Sequence, residues 1–382
     1  MRNLLMTPGP TPVPEDSRFI MAKDIIHHRT EEFMTLFKEM SESLKYVFQT
    51  ENPVITLTSS GTGAMEASIV NLFSENDKVV VISVGNFGDR LIQLAKLYKL
   101  NVIEISYKWG ETAKVEDLKA VLAKEEGVKG VIMTQHETST GVVNDIEAFG
   151  KVIKDTDMLF VVDAISGLTA NEFKTDEWGV DCALSGSQKG FMAPPGLAFA
   201  ALSPKAQAAM EKSTLPKFYF SFKKALKILA DGQTPWTPAI GVVMAVNESC
   251  KMIKKEGIEN VVARHKSMQE ATVAGVEALG LELLIKNPKD RGATLTTVLC
   301  PEGLNGQKVN KLMSKKYGIT IAGGQGELQG KIFRIGHLGG VDTLDVVTTF
   351  SALEMVLKEL GYNNFEPGDS LKAIQKYLMS EI

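Results

Sequence analysis

The sequence predicts an α/β fold, with a large domain built on a mainly parallel sheet between helices and a small α+β C-terminal domain behind it. Two observations carry this. From Pro53 to Leu202, apolar runs of strand length alternate with helical patterns, the β-α-β rhythm that yields parallel sheets. After a long helical stretch over 257–279 the pattern changes, and short strands (282–285, 293–299) alternate with helices (307–316, 345–360). A chain of 382 residues suits two domains at ~100–200 residues each. The expected division is an extended arm over 1–18, a large domain over 19–257 and a small domain over 258–382.

Composition narrows the function. The hydrophobic share of 44% supports a large core, and a net charge of −4 argues against a nucleic-acid partner, which would favour a basic face. No apolar run approaches the ~18–20 residues of a membrane span, and the stretch over 1–6 is too short for a secretory signal. The three cysteines, Cys182, Cys250 and Cys300, are widely spaced and show no metal-binding or disulfide pattern, so a reducing cytoplasm is the expected setting and no metal is expected.

Taken in order, Thr7-Pro-Gly-Pro-Thr-Pro-Val-Pro14 must be an extended arm, because four prolines remove donors and fix φ. His27-His28-Arg29 precedes a helix spaced on Phe33, Leu36, Phe37, Met40 and Leu44. Pro53–Thr58 reads as a strand that runs into Ser59-Ser60-Gly61-Thr62-Gly63-Ala64 and then a helix. Strand, glycine turn and helix together present free N–H groups and a positive helix end to a phosphate, with Thr62, Gly63 and Ala64 as the candidates. No Gly-Lys-Ser/Thr follows, so this is not a nucleotide P-loop. Lys78–Val84 is a buried strand, and Phe87 after it stands between glycines, where an aromatic side chain stacks on a flat ring.

Strands over 101–105 and 128–134, with a helix around 115–124 between them, continue the rhythm. The polar turn His136-Glu137-Thr138-Ser139-Thr140-Gly141 follows. Met158–Val162 is another strand and ends in Asp163. Twenty-six residues later (189 − 163) comes Ser185-Gly-Ser-Gln-Lys189-Gly190, a small-residue turn closed by Ala193-Pro-Pro-Gly196. A lysine held there is desolvated, loses its proton more easily and becomes a nucleophile toward aldehydes. Lysine and acid at adjacent strand ends are what pyridoxal phosphate needs. The lysine forms the imine, and the carboxylate keeps the pyridine nitrogen protonated. Gly196–Leu202 is a returning strand. Thr234-Pro-Trp-Thr237-Pro238 breaks the chain before a helix, and alone it reads as an ordinary cap. Arg334 lies within the apolar strand 331–336, where a guanidinium is costly unless it meets an anion.

The Ser-Gly-Ser-Gln-Lys segment, with Asp163, the Glu-Thr-Ser-Thr-Gly turn and Arg334-Ile-Gly-His-Leu-Gly, resembles class V aminotransferases, in particular the alanine–glyoxylate/serine–pyruvate aminotransferase family. The resemblance runs from the Pro-rich arm to Arg334. It implies the pyridoxal-phosphate transferase fold of type I, with a seven-stranded sheet in the large domain, and a homodimer whose active sites lie at the interface. It implies ping-pong transamination between a small amino acid (alanine or serine) and a 2-oxoacid (glyoxylate or pyruvate), using pyridoxal 5'-phosphate. Aspartate or phosphoserine as donor, or a lyase or desulfurase reaction, are the alternatives.

By the same resemblance Lys189 and Asp163 are catalytic. Thr62, Gly63, Ala64, Phe87, Thr138 and Gln188 contact the cofactor. Thr234 and Thr237 reach the partner's phosphate, while Arg334 and Gly9 meet the substrate. Two positions depart from the family: Phe87 stands where Trp is common, and Thr234 where Tyr is frequent.

Overall fold

The computed structural model describes residues 3–381. The chain begins with strand β1 (Leu4–Met6), runs through the proline arm, and forms helices α1 (Glu15–Met21) and α2 (Glu31–Phe48). The local causes of α2 are plain. Thr30 accepts the Phe33 N–H as N-cap, two glutamates occupy the first turn, and Phe33, Phe37, Met40 and Leu44 recur on one face, all buried.

The large sheet is built from β2 (Val54–Leu57), β3 (Lys78–Ser83), β4 (Asn101–Ser106) and β5 (Val128–Thr134). After a small hairpin of β6 (His136–Glu137) and β7 (Val142–Val143), it continues with β8 (Leu159–Asp163), β9 (Cys182–Gly186) and β10 (Ala198–Leu202). The seven strands lie in the order β2-β10-β9-β8-β5-β3-β4. Neighbours from β4 to β9 are parallel, and β10 alone runs against both its neighbours.

Alternate residues serve opposite cores. Val80, Ile82, Val131 and Val162 pack toward α2 and the helix Ile240–Glu256. Val79, Val81, Ile132 and Val161 pack toward α3 (Gly61–Leu72) and α4 (Asn86–Leu97). Burial on both faces is why these strands read as continuous apolar runs.

The second sheet has the order β1-β13-β14-β12-β11, with β11 (Glu282–Leu283), β12 (Leu295–Leu299), β13 (Ile319–Gly323) and β14 (Ile332–Gly336). Helices Ile258–Ala278, Thr343–Glu359 and Asp369–Ser380 complete its core with Phe333, Ile335, Phe350 and Ile374.

Several elements differ from the sequence expectation. The first 18 residues are not extended throughout: Leu4–Met6 pairs in parallel with Ile319–Ile321, and α1 starts at Glu15. Helices Ile146–Ile153, Phe222–Leu229 and Asp369–Ser380, and strand β13, are additional to those expected. Thr237-Pro238 does not cap the helix that follows it; that helix starts at Ile240 with Ala239 at the N-cap.

Six of the seven strands run the same way and deliver their carboxyl ends to one side of the large sheet. In such sheets ligands bind beyond those ends. Gly61, Asn86, Gln135, Asp163 and Lys189 all lie at or just past them.

Candidate active site

Asp163 is the last residue of β8 and pairs in register with Leu184 of β9, so the loop carrying Lys189 leaves the sheet beside it. The loop is closed from within. Ser187 Oγ donates to Pro194 O at 2.6 Å and accepts from Leu197 N, and a Cβ on Gly190 would come within 2.0 Å of Thr169 Oγ1. Only glycine fits there. The lysine is thereby turned under the proline arm. Lys189 Nζ donates to Pro8 O at 2.7 Å, and Thr11 Oγ1 donates to Lys189 O at 3.0 Å. Gly9, at φ +128°, passes so close that a Cβ would lie 2.5 Å from Lys189 Cδ.

Burial sets the charges of the pair. Desolvation lowers Lys189 from 10.5 to about 8, although Asp163 attracts its proton and Arg334 and Arg90 repel it. Asp163 is raised to about 7, again chiefly by burial, against the Ile165 N–H that it accepts at 2.9 Å. Each group is pushed toward its neutral form, so desolvation outweighs their mutual attraction.

A cavity of about 190 Å³ opens in front of Lys189, with Gly9, Ser60, Gly61, Thr62, Phe87, Arg90 and Gln188 in its wall. Phe87 and Gln188 both line it, and Gln188 Oε1 is buried without a hydrogen-bond partner among the described residues. The phosphate-cradle expectation shifts toward the N-terminus. The wall runs through Ser60, Gly61 and Thr62, whereas Gly63 faces Ser59 and Phe220, and Ala64 is in the core. A helix turns its first residues outward and its next ones inward, which spacing in the sequence did not separate.

Thr138 is buried. Its hydroxyl donates to Ser166 Oγ at 2.6 Å and its carbonyl accepts from Arg334. Thr234 turns its hydroxyl onto Trp236 O at 2.7 Å, and Thr237 is exposed; within one chain neither lines the cavity. Arg29 is tied to this segment through Gln233 Oε1 and Thr234 O.

Arg334 on β14 is 4% exposed. Its Nε and Nη2 donate to Gly323 O and its Nη1 to Thr138 O. Of five N–H donors three are engaged, leaving one on each Nη. Burial lowers it to about 10, opposed by Glu137.

Glu137 is the residue that sequence reasoning passed over. Fully buried, its carboxylate accepts from the N–H groups of Phe87, Gly88 and Ser139 and from the Ser139 hydroxyl. It therefore fixes the first turn of α4. Burial pushes its carboxyl up, and these donors pull it back. A glutamate beside a Ser-Thr-Gly turn reads as an ordinary surface acid, and the only signal was its place one residue before Thr138.

Residues 21–331 match the family model described as Aminotransferase class-V. The chain is 43% identical over 378 residues to the soluble hydrogenase small subunit of Synechococcus sp. (strain PCC 6716), covering 98% of each chain. It is 34% identical over 382 residues to the L-aspartate–glyoxylate aminotransferase of Paracoccus denitrificans, covering 98% of this chain and 96% of that one. Among solved structures, alanine–glyoxylate aminotransferase from Nostoc sp. superposes with a TM-score of 0.90 at 32% identity, over 94% of this chain and 96% of that one.

Two outcomes are expected. Glu137→Gln should lower stability by about 2–4 kcal/mol, since an amide offers one acceptor to a nest of donors. Denaturant unfolding checks this, and a loss below about 0.5 kcal/mol would show that the first turn of α4 stands without it.

The second concerns pH. Folded Asp163 keeps its proton up to about pH 7, whereas the unfolded chain releases it near 3.8. Folding takes up a proton between those values, so this group makes stability fall as pH rises from about 4 to 7. Lys189 acts oppositely at higher pH, adding stability between about 8 and 10.5. Melts of the cofactor-free Asp163→Asn variant should lack the first decline.

Proposed function

The chain belongs to the class V aminotransferase family, and from that premise we propose that it moves an amino group from a small amino acid to a 2-oxoacid in two half-reactions. Alanine or serine is the proposed donor and glyoxylate or pyruvate the acceptor. The observation that carries this is the desolvated Lys189 beside Asp163, at adjacent strand ends, with the Arg334 guanidinium held on β14 by Gly323 O and Thr138 O.

The donor set fits pyridoxal 5'-phosphate. The cavity wall holds a nucleophilic lysine, an aromatic face at Phe87, a helix first turn for a phosphate, and an unpaired buried polar atom on Gln188, and the carboxyl of Asp163 stands at the neighbouring strand end. Bound there, the cofactor would supply the electron sink that acidifies the Cα–H bond of an amino acid. The chain's own residues do the rest.

Lys189, whose desolvation lowers it to about 8 and so eases loss of its proton, takes the proton from Cα and returns it on the other side of the reaction. Asp163 holds a proton at the ring nitrogen, and a cationic partner there draws its carboxyl down from about 7 to the ionised form. Arg334 offers its two free N–H groups to the substrate carboxylate, its plane fixed by Gly323 O and Thr138 O. Pro8 and Gly9 cover one side of the lysine, and the other side faces the cavity.

The unit of function proposed is a homodimer in the cytoplasm, in which Thr234 and Thr237 of one protomer approach the phosphate of the other. Both lie away from their own chain's cavity, which supports that reading. A desulfurase needs an accessible thiolate. Cys182 and Cys250 are buried and held strongly protonated, and Cys300 is raised to about 11 by burial. The donor set beside Lys189 therefore favours transamination.

Lys189→Ala should abolish turnover with the melting profile retained. Borohydride reduction of the loaded wild type, followed by peptide mapping, should place the label on Lys189; a label on another lysine sinks the assignment. Arg334→Lys keeps the charge and loses the fork, so kcat/KM should fall by about 2–4 kcal/mol in both half-reactions. Cofactor affinity should be unchanged. Unaltered kcat/KM for amino acids would remove Arg334 from the substrate site.

A further inference from the structure

The cavity beside Lys189 holds a cation that forms no salt bridge among the described residues. Arg90 lies one turn beyond Phe87 on α4, with its guanidinium 4.7 Å from the Phe87 ring centroid. Its Nη1 donates to Thr62 Oγ1 at 3.0 Å, and both residues line the cavity. Among the described residues this is its one hydrogen bond, and it forms no salt bridge.

The acids of this region are engaged elsewhere. Asp89 accepts from the Ser83 hydroxyl at 2.6 Å, Glu137 from the first turn of α4, and Asp163 from Ile165 N. The N–H groups at the start of α4 are also taken, Phe87 and Gly88 by Glu137 and Asn86 by Ser139. What faces the cavity from α4 is therefore the Arg90 side chain rather than the helix end.

A guanidinium in a part-buried pocket with four N–H donors unused calls for an oxyanion. On the transaminase reading two are brought in: the cofactor's phosphate and, with a dicarboxylic substrate, a side-chain carboxylate. Position separates them. Arg90 is tied to Thr62, in the first turn of α3, and the positive end of that helix lines the same cavity through Ser60, Gly61 and Thr62. Arg334, the carboxylate candidate, is tied to Gly323 O and Thr138 O and does not line this cavity.

We propose that Arg90 is the charged anchor of the cofactor's phosphate, completing with Ser60, Gly61 and Thr62 a cradle that the helix end alone would leave weak. The assignment rests on the transaminase reading for the identity of the ligand, but its core, an oxyanion between Arg90 and Thr62, does not.

The test uses the full chain freed of cofactor, as wild type, Arg90→Gln and Arg90→Lys, with thermal melts to confirm that each is folded. Absorbance titrations with pyridoxal 5'-phosphate and with pyridoxal compare ligands that differ only in the phosphate. Arg90→Gln should weaken pyridoxal 5'-phosphate about 10- to 100-fold and leave pyridoxal unchanged, the scale of one lost charge-assisted contact. Arg90→Lys should recover part of the loss. Inorganic phosphate should raise the Tm of the wild type and not that of Arg90→Gln.

Equal losses for both aldehydes would overturn the proposal, since they would mean that Arg90 only props Phe87. So would unchanged pyridoxal 5'-phosphate affinity, including the case in which KM rises for aspartate alone and Arg90 reads the substrate side chain. A wild type that is stabilised by phosphate through Arg90 yet takes neither aldehyde would overturn the transaminase reading and leave the anion site standing.

Discussion

The position of Lys189 depends on desolvating an amine without giving it a strong counter-charge. Among the described residues the amine's one hydrogen bond goes to a neutral carbonyl, Pro8 O, and the carboxyl nearby in the sheet is itself pushed toward neutrality by burial. A closely paired, ionised aspartate would hold the lysine protonated. The chain achieves the opposite by covering the lysine with backbone. That cover is not local: the proline arm is anchored by β1 in the second sheet, more than three hundred residues along the chain from its partner strand. The second sheet therefore shapes the chemistry at the ends of the first.

A second constraint is the turn over 136–140, which holds several walls at once. Glu137 binds the start of α4, placing Phe87 and Arg90, and Thr138 O fixes the plane of Arg334 on β14. Ser166 links the Thr138 hydroxyl to His136 Nδ1, which ties the turn to the segment after Asp163. A buried ionisable hub of this kind is costly to desolvate, and donors on every side offset that cost. Because the groups share one short segment, a displacement of the turn moves the aromatic wall and the arginine together.

Much of this was legible in the sequence because its causes are short-ranged. The two-faced burial of β3, β5 and β8 shows as uninterrupted apolar runs, α2 shows as a spaced aromatic stripe, and the Lys189 turn shows as small residues closed by Pro-Pro. What was missed lacked such a signature. Helix Asp369–Ser380 buries only Ser370 and Ile374, so its periodicity is faint, and the two-residue strands are shorter than any pattern. Thr62, Gly63 and Ala64 look equivalent as letters, and only the rotation of α3 decides that Thr62 faces the cavity and Ala64 the core.

The sequence by itself determined the fold class, the lysine and acid at neighbouring strand ends, and the arginine stranded in an apolar strand, because each follows from local burial or backbone chemistry. The tertiary structure decided which groups meet. It placed Pro8 on the lysine, joined Glu137 to α4, tied Arg334 to Thr138 O, and left Arg90 without a salt bridge among the described residues. These are contacts between segments fifty to two hundred residues apart or, for Arg90, the absence of one. Pairings over such separations depend on how the two sheets and their helices pack in space, and residue order along the chain carries no record of them.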